Sequence, residues 1–178
     1  LVEGEICAKS SLKYIQSVDN VEISEDEVQS KLAEYTHYLE NNDAQFTTEQ
    51  LEEAMQKVMD NYAGGISTHY QFNEKQLNLA TEKIKQIIRL SDNLHADDLQ
   101  ELMYVYELKE RLTVCLVLIE HLKARKETRW HSFAENLDYP NKSENWLKYV
   151  NSKLVDGKIE IIFRDLVKVG ETYEHSNK

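Results

Sequence analysis

Three cations, a carboxylate, an indole and an imidazole follow one another in Ala124-Arg125-Lys126-Glu127-Thr128-Arg129-Trp130-His131. At the end of a helix such a run has two uses. Lys and Arg can complement the negative end of the helix dipole while Glu127 pairs with Arg125 or Arg129, or the cluster can serve a functional contact in the loop beyond. The remaining candidates for chemistry are weaker. His37, His69, His95, His121, His131 and His175 contain no HExxH and no pair of Glu-x-x-His motifs of the kind di-iron bundles use, so no metal site is expected. Cys115 lies in the most apolar stretch of the chain, where a thiol stays protonated, and reads as structural. Gly64-Gly65 follows no strand and precedes no Lys-Ser/Thr, so it reads as a helix stop and not as a phosphate loop. Tyr35-Thr36-His37-Tyr38 and Tyr104-Val105-Tyr106 could stack on bases or sugars, but a net charge of -11 opposes a nucleic-acid partner. No catalytic residue and no cofactor-binding residue is assigned from these patterns.

The elements that must position these residues are mainly helical. Only five Gly and one Pro occur in 178 residues, too few for the tight turns of a sandwich or barrel. Ala8, Leu12 and Ile15 share a helical face close to the first residue, an abrupt start that suggests a piece of a longer chain. Ser24 and Glu27 have the form of a capping box, and Val28, Leu32, Tyr35 and Leu39 follow it until Asn41-Asn42. Thr47 with Gln50, and Asn73 with Gln76, are further boxes, flanked by the staple pairs Phe46 with Leu51 and Phe72 with Leu77. The first of these helices should end at Gly64-Gly65 in a left-handed cap. The second carries a buried stripe of Leu77, Ala80, Ile84, Ile87 and Ile88.

A last helix is expected from Asp97 to Lys126, with Leu99, Leu102, Met103 and Tyr106 as its first stripe. From Leu112 to Ile119 it is apolar on every side, which calls for enclosure by other helices or by a second protein surface. Glu127 to Trp146 reads as an irregular connection holding both Trp residues and the single Pro. Leu147–Leu154 and Lys158–Val167 flank Asp156-Gly157, a dipeptide suited to a type I′ turn, and predict a β-hairpin that packs on the helices. The fold expected is therefore mainly α: a bundle of about three to five helices in spectrin-repeat-like up-down packing, with a C-terminal β-hairpin.

Charge and cysteine usage bound the setting. Residues 1–109 carry 9 Lys+Arg against 21 Asp+Glu, and residues 110–168 carry 11 against 9, so the acidity sits on the early helices as a solvated surface. No apolar run is long enough for a membrane span, and no signal peptide is visible. Two distant cysteines, Cys7 and Cys115, fit reduced thiols, so a cytoplasmic location is expected, with the cytoplasmic face of a membrane complex as its variant.

Taken together, Ala124 to His131, Leu137-Asp138-Tyr139-Pro140, Ser143-Glu144-Asn145-Trp146 and the strand Lys148-Tyr149-Val150 resemble the carboxy-terminal helical domain of the fumarate reductase and succinate dehydrogenase flavoproteins. That family includes L-aspartate oxidase and the adenylylsulfate reductase alpha subunit. Gly4-Glu5-Ile6-Cys7-Ala8-Lys9-Ser10-Ser11 is similar to the final helix of the family's FAD-binding domain. Trp130 stands where succinate dehydrogenases carry Gly, which leaves adenylylsulfate reductase-like and fumarate reductase-like relatives open.

The resemblance implies a division of the chain. Residues 1–18 would be the tail of the last helix of a missing FAD-binding domain, 19–127 the helical bundle, 128–168 the connection and hairpin, and 169–178 a polar tail. It implies FAD in the parent protein and none in this piece, whose catalytic residues would lie upstream of Leu1. The partners implied are the flavin domain of the same chain and an iron-sulfur subunit, with Arg129 and His131 at the domain contact. Read without the resemblance, the same helices also suit a stand-alone protein-interaction module.

Overall fold

The computed structural model describes residues 2–19, 22–167 and 170. Its elements are helices α1 (Val2–Ser17), α2 (Glu25–Glu40), α3 (Thr48–Tyr62), α4 (Glu74–Ser91) and α5 (Leu99–Ala124), and strands β1 (Gln71–Phe72), β2 (Glu135–Asn136), β3 (Lys148–Val155) and β4 (Lys158–Asp165). The mainly α fold with a C-terminal hairpin is as expected. The tail at 169–178 lies outside the described residues except for Gly170. The chain forms two compact units, residues 1–37 and 38–178.

In the first unit, α1 buries no residue. At the start of α2 the Glu27 half of the capping box forms, the Ser24 N–H donating to Glu27 Oε2 at 3.4 Å.

In the second unit, α3, α4 and α5 pack on one another, and the hairpin packs on α5. Both expected boxes close completely. Thr47 accepts from the Gln50 N–H while the Gln50 side chain accepts from the Thr47 N–H, and Asn73 does the same with Gln76. Phe72 and Leu77 are both buried, whereas Phe46 of the other expected staple remains exposed. Gly64 adopts φ 79°, the left-handed position after the α3 cap. Gly65 has an ordinary φ but no room, because a Cβ there would meet Asp60 Cα at 2.4 Å. The α4 stripe buries Leu77, Ala80, Ile84 and Ile87, with Ile88 half-buried.

Helix α5 departs from expectation in its length and in its buried stripe. It is shorter than Asp97–Lys126: Asp98 caps it by accepting from the Gln100 and Glu101 N–H groups, both at 2.9 Å, and Arg125 leaves it in an extended conformation. Its buried stripe is Leu102, Val105, Leu108, Leu112 and Ile119, while Leu99 and Met103 point outward. Its second half is not enclosed on every side by the chain's own elements, since Val114 and Leu118 are exposed. The helix covers only the faces it turns toward α3, α4 and the hairpin, and the apolar residues outside those faces are left over.

The hairpin forms as read. Asp156 and Gly157 have φ of 48° and 73°, both positive as a type I′ turn demands, and the register runs from Lys148↔Asp165 to Val155↔Lys158. The connection before it is more ordered than its irregular reading. Strands β1 and β2 form a two-residue parallel ladder, Gln71↔Glu135 and Phe72↔Asn136.

Candidate functional site

The run Arg125 to His131 folds around a buried carboxylate. Because Arg125 turns out of α5, its guanidinium reaches three acceptors: Glu127 Oε1 at 2.7 Å, the Trp146 carbonyl at 3.1 Å and the Lys148 carbonyl at 3.0 Å. Arg129 grips the same carboxylate with Nε at 2.8 Å and Nη2 at 2.9 Å, and Nη2 also donates to the Ser143 carbonyl at 3.1 Å. The Ser143 N–H adds a further bond to Glu127 Oε2 at 3.0 Å. Glu127 is 3% exposed. Burial works to raise its pKa, yet the bonds from Arg129, Ser143 N–H and Arg125 outweigh burial and hold the carboxyl at about 2. The Arg129 guanidinium is pushed up in turn by its bonds to Glu127.

The next residue ties this cluster to the rest of the loop. Thr128 is buried; its hydroxyl accepts from the Asn136 N–H at 2.9 Å and donates to the Tyr139 carbonyl at 3.0 Å. Asn136 stands in the β1–β2 ladder, so the loop is fixed to the segment before α4. The Asp138-Tyr139-Pro140 turn then reaches the helix itself, Asp138 Oδ2 accepting from the Glu74 N–H at 2.7 Å. A carboxylate at a helix N-terminus satisfies an orphan N–H and complements the dipole.

Arg129 and His131, the two residues singled out from sequence, therefore differ in placement. Arg129 is mostly buried in the ion cluster, whereas the His131 side chain is 65% exposed and lies 3.7 Å from Glu135. Trp130 and Phe133 flank His131 and are exposed. Ser132 between them has φ 70°, and its N–H donates to Glu135 Oε1 at 2.9 Å. Sequence reasoning missed Ser143, Trp146 and Lys148 as partners of the cluster. Their contribution comes from main-chain carbonyls and an N–H, which carry no residue-type signal.

A recess of about 370 Å³ opens beside the cluster, lined in part by His121, Arg125, Glu127, Arg129, Trp130 and Lys148. A larger cleft of about 810 Å³ lies near the starts of α3 and α5. There Arg111 pairs with Glu52 and Glu107, and His95 Nε2 lies 2.8 Å from Asp97. Burial pushes the half-buried Cys115 thiol up, which leaves it protonated. Among the described residues, no three His, Cys, Asp or Glu side chains come together as metal ligands. No helix among them is long and apolar enough to cross a membrane.

Nor does the Gly-Gly pair form a phosphate cradle. The Gly65 N–H donates to the Asp60 carbonyl at 3.2 Å and the Ser67 N–H to Asp60 Oδ1 at 3.1 Å, so the donors of this turn are spent within the chain.

Residues 52–173 match the family described as "Fumarate reductase flavoprotein C-term". The chain is 30% identical over 145 residues to an uncharacterized FAD-dependent oxidoreductase of Methanocaldococcus jannaschii, covering 82% of this chain and 25% of the relative. It is also 30% identical over 105 residues to the adenylylsulfate reductase subunit alpha of Megalodesulfovibrio gigas, covering 58% of this chain and 16% of that one. Among solved structures, adenylylsulfate reductase from Archaeoglobus fulgidus matches with a TM-score of 0.87 at 29% identity, over 97% of this chain and 29% of that one. An E. coli quinol fumarate reductase shares the fold with a TM-score of 0.65 at 17% identity, over 86% and 27% of the two chains. The chain thus spans about a quarter or less of the length of the curated relatives it matches.

Proposed function

Since the chain belongs to the fumarate reductase and succinate dehydrogenase flavoprotein family, as its C-terminal domain, we propose that it works as the helical domain of an FAD-dependent oxidoreductase, packed on the flavin domain of the same polypeptide. The single observation that carries this reading is the family match over residues 52–173. In the parent, FAD would supply the transfer of an electron pair to or from a small oxyanionic substrate. The residues of this chain would shape and brace the contact, with residues 1–18 as the tail of the last FAD-domain helix and 19–127 as the bundle. Arg129 would hold the loop in shape and His131 would meet the neighbouring domain. Val114 and Leu118, apolar and exposed in the second half of α5, would offer a surface to a partner, either that domain or an iron-sulfur subunit. Free Cys7 and Cys115 suit a cytoplasmic setting.

Within the family, the higher TM-score and identity to adenylylsulfate reductase than to fumarate reductase favour an adenylylsulfate reductase alpha-type parent. The test is the flavin absorbance of the purified full-length product. Bound flavin is expected. A colourless product whose reading frame opens within a few residues of Leu1 would overturn the proposal and favour a stand-alone interaction module. His131→Ala in the intact protein should lower flavin retention or subunit assembly without unfolding the loop, and unchanged flavin content and activity would remove His131 from the contact.

A further inference from the structure

We draw no further inference here: the strongest candidate, the aromatic surface patch that Trp130 and Phe133 form beside Tyr70 at the exposed turn before β2, adjoins the contact already proposed for His131, and nothing in the structure shows what covers it.

Discussion

Arg129 grips Glu127 with two parallel bonds, Nε to Oε1 at 2.8 Å and Nη2 to Oε2 at 2.9 Å, although only Thr128 separates them in sequence. With Arg125 on one oxygen and the Ser143 N–H on the other, the buried carboxylate has donors on both sides. It ties the end of α5 to the start of the hairpin.

Glu127→Gln removes the charge and half the acceptor capacity while leaving both guanidinium groups in place. Breaking a buried pair by removing one partner costs about 3–5 kcal/mol, and partial exposure of the two arginines puts the loss here near the lower end, about 3 kcal/mol. Urea unfolding of the two proteins at pH 7 measures it, and a loss under about 1 kcal/mol would contradict the cluster's role.

The same carboxyl sets an acid limit. Its folded pKa is held at about 2, below the ordinary 4.5, so its contribution is complete above pH 4.5 and is lost as the pH falls toward 2. The stability difference between the native chain and Glu127→Gln should therefore shrink across that window. Chemical denaturation at several pH values between 7 and 2 checks it, and a constant difference would assign the loss to packing.

Gly65→Ala and Gly157→Ala should separate two reasons for glycine. At Gly157 a Cβ meets nothing within 4 Å, so the cost is the positive φ alone, about 1 kcal/mol. At Gly65 the backbone is ordinary but the Cβ would overlap the Asp60 main chain, and about 3 kcal/mol is expected. Thermal melts of the two variants rank them, and the opposite order would refute the close approach.

Lys109 joins three elements by donating to the Tyr38 hydroxyl at 2.7 Å and to Asp92 Oδ1 at 2.9 Å. Burial works to lower its pKa, but the bonds to Tyr38 and Asp92 outweigh it and leave it raised. Its contribution is thus present below its ordinary value of 10.5 and fades only as the pH rises through the higher folded one. Lys109→Met should cost about 1 kcal/mol at pH 7, read by urea midpoint, and the cost should fall in strong alkali.

The features legible in the sequence are those whose partners lie within a few residues. The caps at Thr47 and Asn73, the left-handed Gly64 and the Asp156-Gly157 turn each satisfy local backbone groups, so residue type and spacing determined them. The run Arg125 to His131 was visible as a cluster for the same reason. What it does was not. Whether Glu127 would meet Arg125 or Arg129 depended on where α5 stops, and the answer, both, follows from Arg125 leaving the helix. The β1–β2 ladder joins residues 64 positions apart, and Asp138 caps a helix that begins just as far back in the chain. Which apolar residues of α5 are covered likewise depends on α3, α4 and the hairpin. Local hydrogen bonding is written in the order of residues. The sharing of one buried carboxylate, the loop's hold on α4 and the choice of buried stripe are settled only when distant segments compete for the same donors and the same surface.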